Sequence, residues 1–81
     1  MENNKRYYKQ LTKREKTVIK LIAYGFDNKT IGEKMYVSTH TVKAFVANIL
    51  RKLEAKNRTN AVYIAFQIGI LPDKDSTLKS A

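Results

Sequence analysis

The sequence predicts an all-α domain, a four-helix bundle. Apolar residues recur at intervals of three and four rather than two, each periodic run follows a capping residue, and each ends at a glycine or a short break. No stretch of useful length alternates apolar and polar as a strand would. At 81 residues the chain lies near the lower end of what folds as one domain, and it has no cysteine for a disulfide or a thiolate metal site. Stability must come from packed apolar side chains, assisted or not by a second subunit.

The first helix is predicted at 13–24. Thr12-x-x-Glu15 is a capping box, in which the threonine hydroxyl caps the first turn and the glutamate reaches back to the cap N–H. Val18, Ile19, Leu21 and Ile22 form its apolar face, with Lys13, Lys16 and Lys20 outside, and Gly25 stops it. Asn28 is expected to cap a short second helix, 29–35, burying Ile31 and Met35. Gly32 in its middle costs about 1 kcal/mol of helix propensity against alanine. Close approach of another helix is the natural reason for a glycine there.

Tyr36-Val37-Ser38 leads into a third helix, 39–54, with Ser38 as its N-cap. Val42, Phe45, Val46, Ile49, Leu50 and Leu53 make one apolar stripe along it. The opposite face carries His40, Lys43, Ala44, Ala47 and Arg51, which are small, polar or cationic. A short helix and a basic one joined by a tight connection outline a helix-turn-helix, with Val37 plugging the angle. After a polar break at 55–59, Thr59 or Asn57 caps a fourth helix, 60–69. There Ala61, Val62, Ile64, Ala65, Phe66 and Ile68 are apolar, with Tyr63 among them. A helix apolar on most sides must be covered on most sides, which in so small a chain points to a symmetric contact with a second subunit. Full burial within the monomer is the alternative. Gly69 and Pro72 mark the end of the helix.

The domain is thus placed at 11–71. Residues 1–10, with Lys5, Arg6 and Lys9 around Tyr7 and Tyr8, read as a basic arm, and 72–81 as a polar, disordered tail. The formal charge of +9 comes from 16 Lys+Arg against 7 Asp+Glu and predicts attraction to a polyanion, most simply nucleic acid. A solvated basic surface is the plainer reading of the same charge. No apolar run approaches the ~18 residues that span a bilayer, and the N-terminus lacks a signal-peptide core. A cytoplasmic, nucleoid-associated location is expected. One histidine, no cysteine and no glycine-rich phosphate loop leave no nucleophile–base set or ligand cluster, so neither enzyme activity nor a cofactor is expected.

Leu11-Thr12-x-Arg14-Glu15, Gly25, Asn28-Lys29-x-Ile31, Val37-Ser38-x-x-Thr41-Val42-Lys43, Ile49, Lys52-Leu53 and Asn57-Arg58-Thr59-x-Ala61-Val62 fit one pattern in order and spacing. It resembles the LuxR-type (GerE-type) helix-turn-helix domain of bacterial transcription regulators, over about residues 10–71. The resemblance implies a four-helix domain in which helix 3 enters the major groove of DNA and helix 4 mediates dimerisation. Because only about ten residues precede the match, it also implies a stand-alone member without a receiver or ligand-binding domain. Three positions depart from the usual pattern: Thr17 where glutamate is common, Gly32 where alanine is usual, and Phe45 where histidine is frequent. Phe45 falls on the apolar stripe, so its effect should be on packing more than on DNA contact.

Lys43, on the exposed face near the start of helix 3, is the leading base-contact candidate, able to donate to guanine O6/N7 or to a phosphate. Ala44 and Ala47 stand where the family often reads bases. Their methyl groups can touch only thymine methyls, so direct base hydrogen bonds should be few. Ser38 and Thr41 can serve phosphate at the helix N-terminus, and capping by Ser38 is compatible with that. Lys29, Arg51, Lys52, Asn57 and Arg58 are candidate phosphate clamps, with Arg58 alternatively a structural partner of Glu15 or Glu54. His40 reads as a backbone contact or a bystander. Ala61, Val62, Tyr63, Ala65 and Phe66 are the expected dimer interface.

Two functions follow from these residues. One is a dimeric, sequence-specific regulator of transcription that binds double-stranded DNA. The other is an adaptor that uses helix 4 to bind another protein, with only non-specific DNA affinity. RNA polymerase and a full-length relative are the protein partners considered, and no membrane is involved.

Overall fold

The computed structural model describes residues 10–72; the arm before them and the tail after them lie outside the described residues. Four helices follow one another, α1 (Lys13–Tyr24), α2 (Asn28–Met35), α3 (Thr39–Leu53) and α4 (Arg58–Gln67). There is no strand among the described residues. The all-α class and the order of the elements are as the sequence predicts.

Local chemistry explains each boundary, including those that differ from expectation. At α1 the Thr12 hydroxyl accepts from the Glu15 N–H at 3.1 Å, and Glu15 Oε1 accepts from the Thr12 N–H at 2.8 Å. Gly25 closes the helix at φ 101°, in the left-handed region that glycine enters without steric cost. Asp27, not Asn28, caps α2, accepting from the Thr30 N–H at 2.9 Å. That bond, followed by the Thr30 side chain, outweighs the small effect of desolvation and holds the Asp27 carboxyl below its ordinary value. Asn28 is thereby the first residue of the helix. Ser38 caps α3 as expected, and α3 stops at Leu53, one residue early, with Glu54 left-handed at φ 55°. Asn57 rather than Thr59 caps α4, through a 2.7 Å bond from the Asn60 N–H. The helix therefore starts two residues before the predicted 60 and ends at Gln67, ahead of Gly69.

The core gathers Val18 and Ile19 of α1, Ile49 and Leu53 of α3, and Ala61, Ile64 and Ala65 of α4, closed by Leu11 and Leu71 from the flanking chain. Each large side chain removed from water contributes about 1.5–3 kcal/mol. α3 packs on all three other helices, and Ile31 of α2 and Val42 of α3 are fully buried as well. Ala61 and Ala65, expected at a dimer interface, are instead inside the monomer at 1% and 0% exposure. Their methyl groups face this core and are withdrawn from any second subunit. Tyr63 and Phe66 do stand out, at 60% and 49%.

Gly32 has a packing reason, but the neighbour is the turn and not a helix. A Cβ there would sit 2.7 Å from the Val37 carbonyl oxygen, with Ser38 backbone atoms at 3.4 and 3.5 Å. Val37 itself is half-buried and donates its N–H to the Gly32 carbonyl at 2.9 Å. Tyr36 ends α2 in the left-handed region, φ 62°.

One buried charge ties the bundle together. Glu15 is 4% exposed, and its Oε1 accepts from Lys52 Nζ at 2.8 Å as well as from the Thr12 N–H. Burial pushes this carboxyl up, but the Lys52 hydrogen bond, the Thr12 N–H, the Lys52 charge and the Thr12 side chain together outweigh it. The net position is below the ordinary 4.5.

Two outcomes are expected in denaturation experiments on this pair. Lys52→Met leaves a buried carboxylate without its cation and should lower stability by about 3 kcal/mol at neutral pH. A carboxyl with a depressed folded pKa stabilises above its unfolded value, and that contribution is lost as pH falls through the folded one. Glu15→Gln should therefore flatten the acid limb of a thermal-unfolding series run below 4.5. Separately, Gly32→Val drives a branched Cβ into the Val37 carbonyl and should cost about 2–3 kcal/mol by urea unfolding.

Candidate nucleic-acid interface

The buried side of α3 fixes what its other side presents. With Val42, Ile49 and Leu53 in the core, the side chains of Thr39, His40, Lys43, Ala44, Ala47, Asn48 and Arg51 are exposed. Their spacing of three and four puts His40, Lys43, Ala44, Ala47, Asn48 and Arg51 on one strip. α3 itself carries no acidic residue, so the strip is cationic at Lys43 and Arg51 and narrow between them. Phe45 lies off the strip, half-buried against the core, with the Arg14 guanidinium 5.8 Å from its ring centre. This placement on the core side agrees with its position in the apolar stripe.

Asn48 is a member of this strip that the candidate residues read from sequence do not include. Arg51 Nη2 donates to Asn48 Oδ1 at 3.1 Å. A signal for it exists in the spacing: Asn48 stands four residues after Ala44 and three before Arg51. At the start of α3, the Ser38 hydroxyl accepts from the Thr41 N–H and donates to the Thr41 hydroxyl, both at 3.0 Å. Ser38 is exposed and Thr41 half-buried. Lys29, in the first turn of α2, is exposed. Tyr36, in the turn ahead of Ser38, is 93% exposed.

The remaining clamp candidates are engaged within the domain. Lys52 is 17% exposed and paired with Glu15. Arg58 is half-buried; Nη1 donates to Asn28 Oδ1 at 2.6 Å and Nη2 to the Phe26 carbonyl at 3.2 Å. Its partners are therefore these two and not Glu15 or Glu54. Arg58 thus pins the start of α4 to the α1–α2 connection. Asn57 is exposed but uses its Oδ1 as the α4 cap. Of the interface candidates on α4, Tyr63 and Phe66 are exposed and Val62 is half-buried. Among the described residues no cluster of three or more His, Cys, Asp or Glu side chains could hold a metal ion. No helix there is long and apolar enough to cross a membrane.

Comparison with known proteins places this geometry. Residues 9–65 match the family described as "Bacterial regulatory proteins, luxR family". The chain belongs to the LuxR family. The presentation of α3 and the short α2 before it are therefore those of a LuxR-type helix-turn-helix, a DNA-binding element of bacterial transcription regulators. Among similar proteins are those named response regulator protein VraR from Staphylococcus aureus, Staphylococcus saprophyticus and Staphylococcus epidermidis. Each is 41% identical over 71 residues, which is 88% of this chain and 34% of the relative. The chain thus spans about a third of the length of these relatives.

The Arg58 bridge generates a prediction of its own. Arg58→Lys keeps the charge but not the planar fork, so it should lower unfolding free energy by about 1–3 kcal/mol. DNA affinity of the folded protein, measured at a temperature where both forms are fully folded, should change less than twofold.

Proposed function

We propose that this domain is a sequence-specific, double-stranded-DNA-binding element of a transcription regulator, which inserts α3 into the major groove and pairs as a dimer through α4. The observation that carries this reading is the exposed strip on α3, small in the middle, cationic at Lys43 and Arg51, and free of acidic residues. The major groove admits a helix, and alanines at the contact face let the backbone come close. Lys43 donates to a base edge, with guanine O6/N7 the best match, while Ala44 and Ala47 lie against thymine methyls. Lys29 and the Ser38–Thr41 end of α3 contact phosphates and set affinity rather than sequence. Asn57 can add its amide N–H groups to that set. Lys52 and Arg58 act chiefly as struts that hold α3 and α4 in place.

The dimer surface in this reading is reduced to Val62, Tyr63 and Phe66, since Ala61 and Ala65 belong to the core. Two copies related by a twofold axis present two α3 helices to successive major grooves, about one helical turn apart. The exposed Tyr63 and Phe66 also favour a second reading, an adaptor that docks α4 on another protein such as RNA polymerase or a full-length relative.

Selection from a pool of random duplexes, followed by salt titration of the winners, separates the two. A regulator yields a consensus of two half-sites. Lys43→Ala relaxes one position in each half-site, Lys29→Ala weakens all sequences alike and reduces the salt slope by about 1, and Tyr63→Glu leaves single half-site binding only. An adaptor enriches no consensus, and its affinity collapses as salt rises.

A further inference from the structure

We infer that Asn48 and Arg51 form one reading unit on α3 that selects base edges rich in hydrogen-bond acceptors, guanine before the others. The inference rests on α3 entering the major groove. It starts from the 3.1 Å bond between Arg51 Nη2 and Asn48 Oδ1. A guanidinium carries donors and no acceptor, so the amide can meet it only with its oxygen. The Asn48 NH2 group is then the edge turned away from Arg51.

That orientation changes what Asn48 can read. A free asparagine recognises adenine by accepting from N6–H2 while donating to N7. With Oδ1 engaged by Arg51, the pair offers donors: the Asn48 NH2 and the guanidinium N–H groups left over. Lys43, on the same strip, adds only further donors. Cytosine N4–H2 and adenine N6–H2 could be met only by the second lone pair of Asn48 Oδ1, on the edge already turned toward the Arg51 cation, so they compete poorly with acceptor-bearing edges. Guanine presents two acceptors, O6 and N7, and thymine presents O4 beside a methyl group suited to Ala44 and Ala47. Those alanines precede Asn48 by four residues and by one, so a short amide can reach a base edge that a bulkier strip would hold off.

The test is base-resolved selection from random duplexes with the unaltered protein, Asn48→Ala, Arg51→Ala and Lys43→Ala, each checked for unchanged thermal unfolding. All three residues are exposed, so folding should be retained. The unaltered protein should enrich guanine at a position that Asn48→Ala relaxes by about tenfold. Arg51→Ala should relax the same position and admit adenine there, because the released amide can present its oxygen. If Asn48→Ala leaves every position unchanged while Lys43→Ala still relaxes one, α3 reads the groove and this inference is wrong. If Asn48→Ala matters but Arg51→Ala admits no adenine, the two residues do not act as a unit and the inference is equally wrong. If no α3 variant alters any preference, the groove reading itself falls and takes the inference with it.

Discussion

One carboxylate oxygen, Glu15 Oε1, accepts at 2.8 Å from both the Thr12 N–H and Lys52 Nζ. It joins the first turn of α1 to the last turn of α3 across the core. A buried charge is costly unless it is paired and hydrogen-bonded, and here both conditions are met within one side chain. The consequence for function is positional. α3 also leans on α2 and α4, but this bond fixes its C-terminal end against the N-terminal end of α1, and so fixes which residues form the outward strip. Lys52 serves the fold first.

The other end of α3 is set by backbone contact. The Val37 carbonyl fills the space where a Gly32 side chain would begin, and Tyr36 turns the chain through a left-handed conformation. A tyrosine in that region carries a penalty of about 1–2 kcal/mol that glycine would avoid, and its ring is in solvent. The family's usual alanine in place of Gly32 would require this turn to move by some tenths of an ångström. Between the two anchors α3 runs unbroken from the Ser38 cap to Glu54, with alanines where a bulkier helix would keep its distance from a groove.

Much of this is legible in the sequence. Thr12, Glu15, Gly25 and Ser38 act locally through caps and turns, and the bounds of α1 follow from them directly. The apolar stripe of α3 needs only its period. Legibility fails where two polar residues compete for one local role: Asp27 takes the cap expected of Asn28, and Asn57 starts α4 earlier than Thr59 would. It fails again where a role depends on a partner distant in sequence. Nothing near Lys52 reveals that Glu15, 37 residues away, will claim it, or that Arg58 will reach Asn28 and Phe26. The surplus of apolar residues on α4 suggests an interface along its whole length. In the fold Ala61, Ile64 and Ala65 complete the core, Val62 and Ile68 are half-buried, and Tyr63 and Phe66 are left exposed.

In the proposed function the outward strip of α3 is the surface that meets duplex DNA. Chemical-shift mapping of isotope-labelled protein titrated with a short duplex tests it even with an arbitrary duplex sequence, since non-specific binding uses the same cationic surface. The largest amide shifts should fall on Ser38 to Arg51 and at Lys29, with the Tyr63 and Phe66 amides little changed. Shifts concentrated on α4, with α3 unmoved, would contradict it.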